Sequence, residues 1–296
     1  MKKLIYITFL FFCTNALIGQ NKLANALYHL KNDSLDKAKE LIDAAAEDPL
    51  FSDKSATWYY KGFIYKEIFK RDEAADKFSP LRTNSVNFYK KSLELEAEGT
   101  FSKSCKNGLQ YLAQTIYNHV ATSFDIDNYK SALENYEYYK EVMKLVDPNT
   151  DFTQKDISIS LAIATTYGKM AEQDSSNAEK YLGEAEKSYR TVLASDSNNV
   201  SANYNLGIIY YNQGVEIVNN MDYSLDLFEL NAVQDRIIEL FRRSLPFMKK
   251  AYDLNPKRKE TLIGLQGIYF SLNDIPKSES FKKELEQLEG IKKISE

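Results

Sequence analysis

The feature that most constrains this chain is a recurring pair of positions, one small and one aromatic, at the spacing of a helix turn. Residues Trp58–Tyr65 and Asn203–Tyr210 both carry glycine three residues before a tyrosine, and Leu262–Tyr269 carries glutamine and tyrosine at the same two places. Two helices approach closely only where their side chains are small, and the aromatic residue fills the space beside the contact. The chain is therefore predicted to fold into helices that pack in close pairs.

A second, complementary pattern lies downstream of these segments. In Ser85–Glu96 and Ser244–Pro256 a small residue is followed four positions later by tyrosine or methionine. Taken together, the two patterns define six units. The aromatic-type anchors of the first helices are His29, Tyr65, Tyr117, Tyr167, Tyr210 and Tyr269. The small residues near the start of the second helices are Ala38, Ser85, Ala132, Ala185, Ser244 and Ser278.

This arrangement resembles the tetratricopeptide repeat (TPR), a 34-residue helix–turn–helix unit with the pattern W-x2-L-G-x2-Y, then A-x3-F, then P. The resemblance implies an all-α fold, an α-solenoid of about six TPR-like helix–turn–helix units with insertions. The repeat domain is predicted to cover residues 20–290, with a short tail at 291–296. An irregular all-α bundle is the alternative, but a bundle has no reason to repeat the small and aromatic pairing.

Departures from the repeat predict local features. The largest excess length lies between Tyr210 and Ser244, and it is expected to extend both helices of that pair, with a loop near Asn219–Asp222. Gln114 and Gln266 replace the small residue of the first helix, so their pairs are expected to be splayed.

Composition narrows the class of protein further. Only 11 of the 296 residues are glycine and 6 are proline, which disfavours an all-β fold with its many turns. The formal net charge of −4 disfavours general nucleic-acid binding, because such proteins are usually basic.

The first nineteen residues have the order of a bacterial secretory signal peptide. Two lysines follow Met1, Leu4–Phe12 is a short apolar run, and small residues near Gly19 suit cleavage. We expect an exported protein of the periplasm or cell envelope, with no integral membrane span after cleavage. A lipid anchor at Cys13 is a weaker alternative, since the bulky Phe12 precedes it. Without the leader, Cys105 is the only cysteine, so no internal disulfide is expected.

The sequence contains neither a zinc-protease helix motif nor a phosphate-binding glycine loop. The two histidines, His29 and His119, have no companion at metal-ligand spacing. We therefore predict no cofactor, no metal and no enzymatic activity.

The resemblance also implies a binding surface, because the first helices of such proteins line a concave face. We predict a non-catalytic protein–protein interaction scaffold of the cell envelope, which binds a partner peptide or helix in this groove. Tyrosine offers large contact area at low entropy cost. Burial of these tyrosines against insertions is an open alternative, and so are a small-ligand or glycan-binding protein and an enzyme with a site between repeats. The predicted groove residues are Tyr59, Phe63, Tyr111, Thr115, Tyr204, Ile208 and Tyr211.

Overall fold

The computed structural model describes residues 22–295, with side chains through residue 290, and this part of the chain is all-α. The predicted leader at 1–19 and Cys13 lie outside the described residues. Two helical turns of other types, Phe69–Glu73 and Ser175–Asn177, adjoin the α-helices. The α-helices are α1 (22–31), α2 (Leu35–Ala46), α3 (Ser55–Ile68), α4 (Pro80–Leu95), α5 (Ser102–Ala121), α6 (Tyr129–Val146), α7 (Thr153–Gln173), α8 (Ala178–Ser195), α9 (Val200–Asn219), α10 (Leu227–Leu254), α11 (Lys259–Ser271) and α12 (Ile275–Ser295).

The helices form two compact units. Within the described residues, unit 1 contains 22–123 and Lys130–Asp151, and unit 2 contains Phe124–Tyr129 and 152–295. In unit 1, α2, α3, α4 and α5 pack in chain order, and in unit 2 the same holds for α7 through α12. None of the described helices is both long enough and apolar enough to cross a bilayer. The last helix continues through Ser295, into the range predicted as a tail.

The helix pairs are held by a hydrogen bond at the predicted small positions. The Ser85 hydroxyl of α4 donates to the backbone oxygen of Gly62 in α3 at 2.8 Å, and Ser244 of α10 donates to Gly207 of α9 at 2.7 Å. All four residues are buried. A serine hydroxyl reaches the backbone of a neighbouring helix only when little side chain stands between them. The TPR-like helix pairs predicted from the sequence are confirmed.

The last pair departs from expectation. Ser278 of α12 donates to the backbone oxygen of Gln266 at 2.9 Å, so α11 and α12 approach as closely as the pairs that carry glycine. The splaying expected at Gln266 is therefore wrong. The residue four positions after Ser278 is the exposed Lys282, where the pairs that carry glycine have the buried Tyr89 and Met248.

In each unit, glycine also allows one helix pair to pack closely against the helix that follows it. Tyr89 of α4 is 1% exposed, and its ring lies between Gly62 of α3 and Gly108 of α5. A Cβ atom added at Gly62 would lie 2.9 Å from the ring, and one at Gly108 would lie 2.6 Å from it. Unit 2 repeats this arrangement, with the fully buried Met248 of α10 in contact with both Gly207 of α9 and Gly264 of α11. We call these two arrangements the glycine sandwiches.

The excess length between Tyr210 and Ser244 is confirmed as longer helices. Helix α9 has 20 residues and α10 has 28, and the loop between them starts near the predicted Asn219–Asp222. Asp226 caps α10 by accepting from the backbone N–H of Glu229 at 2.8 Å, while the Glu229 carboxylate accepts from the Asp226 backbone. This capping box fixes where the extended helix begins.

Candidate functional site

Tyr59, the first predicted groove residue, is packed inside unit 1. Its ring stacks on Phe101 with 4.7 Å between centroids and lies 6.2 Å from the ring of Tyr89. Burial raises the pKa of its hydroxyl above the ordinary value. Phe101 stands at the start of α5, which follows the pair α3–α4 along the chain. Tyr59 thus contributes to packing between successive helices.

Tyr111 remains accessible and forms the centre of a small aromatic and cationic cluster. Its side chain is 42% exposed. The Lys66 ammonium lies 4.4 Å from the Phe63 ring centroid and 5.9 Å from that of Tyr111, and the Lys70 ammonium also lies 5.9 Å from Tyr111. We call Phe63, Lys66, Lys70 and Tyr111 the Tyr111 cluster.

A single carboxylate holds both lysines of the Tyr111 cluster. Glu67 pairs with Lys66 at 3.0 Å and with Lys70 at 2.8 Å. Burial opposes ionisation of Glu67, but the hydrogen bonds from Lys70 and Lys66 lower its pKa. The cluster and Glu67 together keep one net positive charge. Thr115, one turn beyond Tyr111, is half-buried and donates to the backbone oxygen of Leu112 at 2.7 Å.

The predicted groove residues of unit 2 are partly covered by their neighbours. The guanidinium carbon of Arg258 lies 3.5 Å from the Tyr204 ring centroid, so a cation covers this face of the ring. Ile208 and Tyr211 pack against the core cluster around Phe241, and burial raises the pKa of Tyr211. The sequence did not indicate that Arg258 would cover Tyr204.

The other titratable groups show how the fold holds its polar side chains. Tyr210 is 1% exposed, and its hydroxyl accepts from Arg190 and from Arg243, each at 2.9 Å. Both guanidinium groups also pair with Glu186, at 2.9 and 3.4 Å.

Burial raises the pKa of the Cys105 thiol, which keeps it protonated and unreactive at neutral pH. Within residues 22–290, no group of three or more His, Cys, Asp and Glu side chains is placed to hold a metal ion.

Arg82 and His119 form a buried polar contact in unit 1. Arg82 is 3% exposed and forms no ion pair with any described residue. Its Nη1 lies 2.9 Å from His119 Nδ1. Because a guanidinium only donates, Nδ1 must accept, and the imidazole is neutral. The other side of the ring is held by the backbone carbonyl of Ala74, while Lys77 and Asp76 are the further charged groups that face it.

Acidification is expected to destabilise unit 1 through this contact. Burial and the charges of Arg82 and Lys77 lower the pKa of His119 below its ordinary value of 6.5. The unfolded chain therefore binds a proton more readily than the folded chain, so stability is lost as pH falls below about 6.5. Chemical denaturation at pH 7.5 and pH 5 should show this loss, and His119→Gln, which can accept from Arg82 without titrating, should lose less. An equal loss in both proteins would contradict this role for His119.

The sequence matches no protein-family model and no curated protein. Among solved structures, it is similar to a monomeric mutant of IFIT1 with Gppp-AAAA, at 11% identity, 90% coverage of this chain, 50% of that chain and a TM-score of 0.37. A second IFIT1 mutant, with m7Gppp-AAAA, has 11% identity, coverages of 88% and 58% and a TM-score of 0.36. YrrB, described as a TPR protein with an unusual peptide-binding site, has 17% identity, coverages of 81% and 88% and a TM-score of 0.25.

The chain spans about half the length of the IFIT1 chains. Its own helix pairs, with their serine-to-backbone hydrogen bonds and glycine sandwiches, define an all-α protein built from TPR-like units.

Proposed function

We propose that this protein is a non-catalytic protein–protein interaction scaffold, exported by a bacterium to the periplasm or cell envelope. It binds a peptide or helix of a partner protein on the face formed by its first helices. The observation that supports this function is the Tyr111 cluster, where an exposed aromatic ring stands beside Phe63 and two lysines. The leader-like sequence at 1–19 supports export.

The Tyr111 cluster suits a partner segment with an apolar side chain next to a carboxylate. The rings of Phe63 and Tyr111 offer rigid apolar area, which costs little side-chain entropy on binding. Lys66 is 14% exposed and largely committed to Glu67, whereas Lys70 is 43% exposed. Lys70 is therefore the group that we expect to meet the partner's carboxylate.

A substitution tests binding alone only where the replaced side chain does not also hold the fold together. Tyr59 and Tyr204 are enclosed by Phe101 and Arg258, so replacing either would change the fold and the groove together. Tyr111 is the groove tyrosine with the greatest exposure, and its replacement leaves the core in place. Tyr28, 65% exposed on α1 and outside the predicted groove, serves as the matched control.

A photo-crosslinking amino acid at position 111 is expected to capture a defined set of envelope proteins in intact bacteria, identified by mass spectrometry. The same reagent at position 28 should not capture them. In the chain without the crosslinking amino acid, Tyr111→Ser should weaken pull-down of the captured protein at least tenfold, because it removes a central aromatic contact. Tyr28→Ser should leave the pull-down unchanged. Identical proteins captured from both positions, or cytoplasmic proteins alone, would contradict the proposal.

A further inference from the structure

Helix α10 extends well past its neighbour on one side. It has 28 residues against 13 in α11, or about 42 Å against about 20 Å at the usual rise per residue. Gly264 of α11 faces Met248 of α10, and Ser271, seven residues later, shares a cleft with Phe241, seven residues earlier in α10. Helix α11 therefore ends near the level of Phe241. The first turns of α10 therefore lie beyond the end of α11.

This extension carries an exposed apolar surface. A cleft of about 510 Å³ is formed by α10, the end of α9, the loop between them and the end of α11. Three of its large side chains are mostly exposed, at 79% for Tyr223, 75% for Leu227 and 66% for Phe270. Contiguous exposure of this kind on a folded domain marks an interaction site. We call the cleft residues Met221, Tyr223, Leu227, Leu230, Ile238 and Phe270 the overhang surface.

The charges around the overhang surface are almost all negative. Residues 216–239 contain six acidic residues and one arginine, and all six acids are exposed. Asp222 lies between two residues of the cleft, and Asp235 follows Gln234, which also lines it. No lining residue carries a charge.

These carboxylates are available to a partner. Among the described residues, no ion pair is formed by the acids at 216–239. Asp226 and Glu229 are engaged in the capping box, and one oxygen of Asp222 accepts from the backbone N–H and hydroxyl of Ser224. Asp235 forms no side-chain hydrogen bond with any described residue. The one arginine of this segment, Arg236, lines a separate pocket together with Glu216 and Asp222.

We propose that the overhang surface docks a basic amphipathic helix of a partner protein. The apolar face of such a helix fills the cleft beside Leu227 and Phe270, and its lysines or arginines face Asp222 and Asp235. This is the helix-in-groove mode, in which apolar anchors supply affinity and complementary charge supplies selectivity. The surface uses none of the predicted groove residues, so this proposal goes beyond the proposed function.

Two synthetic helical peptides test the proposal. They share one leucine and phenylalanine face, and their other face carries either lysine or glutamate. Fluorescence anisotropy with the full chain is expected to show binding of the lysine peptide at least tenfold tighter than that of the glutamate peptide. The double change Tyr223→Ser with Leu227→Ser should weaken the lysine peptide at least tenfold, and both side chains are exposed enough for the fold to survive.

Charge and position are tested separately. Asp222→Asn with Asp235→Asn should weaken binding of the lysine peptide and reduce its dependence on salt, because two charge contacts are lost. Phe78→Ser, which removes an aromatic ring of unit 1 that is also 66% exposed, is the matched control and should leave the affinity unchanged. Tyr111→Ser should also leave it unchanged, so failure here and failure of the groove are distinguishable.

Three outcomes would overturn the proposal. The first is equal binding of both peptides, and the second is an affinity unaffected by the changes at Tyr223 and Leu227. The third is a wild-type dimer in sedimentation equilibrium that the same two changes convert to a monomer, since the occupant would then be a second copy of this chain.

Discussion

Gly108→Ala is expected to lower the free energy of unfolding of unit 1 by about 2 kcal/mol, the usual cost of adding a methyl group to a filled core. The new Cβ would stand 2.6 Å from the Tyr89 ring, and the opposite side of that ring is already in contact with Gly62. The ring is rigid and 1% exposed, so it has no free space to enter. Urea denaturation followed by circular dichroism measures the change.

The matched control is the same substitution in a helix with free space. A Cβ atom at Gly168 of α7 would meet nothing within 4 Å, so Gly168→Ala should stabilise its helix by about 0.5–1 kcal/mol through helix propensity alone. In a Tyr89→Leu background, the cost of Gly108→Ala should shrink, because the two changes share one contact. If Gly108→Ala stabilised the protein as Gly168→Ala does, the first glycine sandwich would not exist in solution.

Met248→Ala is expected to lower the free energy of unfolding of unit 2 by about 3 kcal/mol, in the range of buried methionine-to-alanine changes. Met248 is fully buried and contacts glycines on both α9 and α11. Truncation would leave a cavity that neither glycine has a side chain to fill. The measurement is again denaturant unfolding.

The last unit supplies the control for this change. Lys282 stands four residues after Ser278, the place that Met248 occupies after Ser244. It is exposed, and among the described side chains its one ion pair is with Glu279 at 4.0 Å. Lys282→Ala should therefore change stability by no more than about 0.5 kcal/mol. A large loss at Lys282 would contradict this comparison, because the exposed lysine would then contribute as much as the buried methionine.

The sequence predicted the helix pairs because their contact depends on short-range spacing. A glycine three residues before a tyrosine, together with a serine in the following helix, predicts the close helix contacts at Gly62 and Gly207. The splaying predicted at Gln266 is wrong, because whether a larger residue fits depends on what packs against it, which residue spacing alone does not show.

The candidate site was harder to predict than the pairs. Helical periodicity indicates which face a residue occupies, but it does not indicate what covers that face. Phe101 stacks on Tyr59 and Arg258 covers Tyr204, and both come from later helices at distances that no repeat pattern fixes. The apolar residues Tyr223 and Leu227 stand in an acidic segment, a contrast in the sequence that could have indicated the overhang surface.

Tyr89 and Met248 each contact glycines of two successive helix hairpins, so each side chain is part of the core of both hairpins. Within a unit, neither hairpin can then become ordered in full without its neighbour, which links their folding into one cooperative event. Deleting a single helix hairpin would remove one of the two glycines that enclose such a side chain. We therefore expect such a chain to tolerate the gain or loss of repeats only where each enclosed side chain keeps both of its glycines.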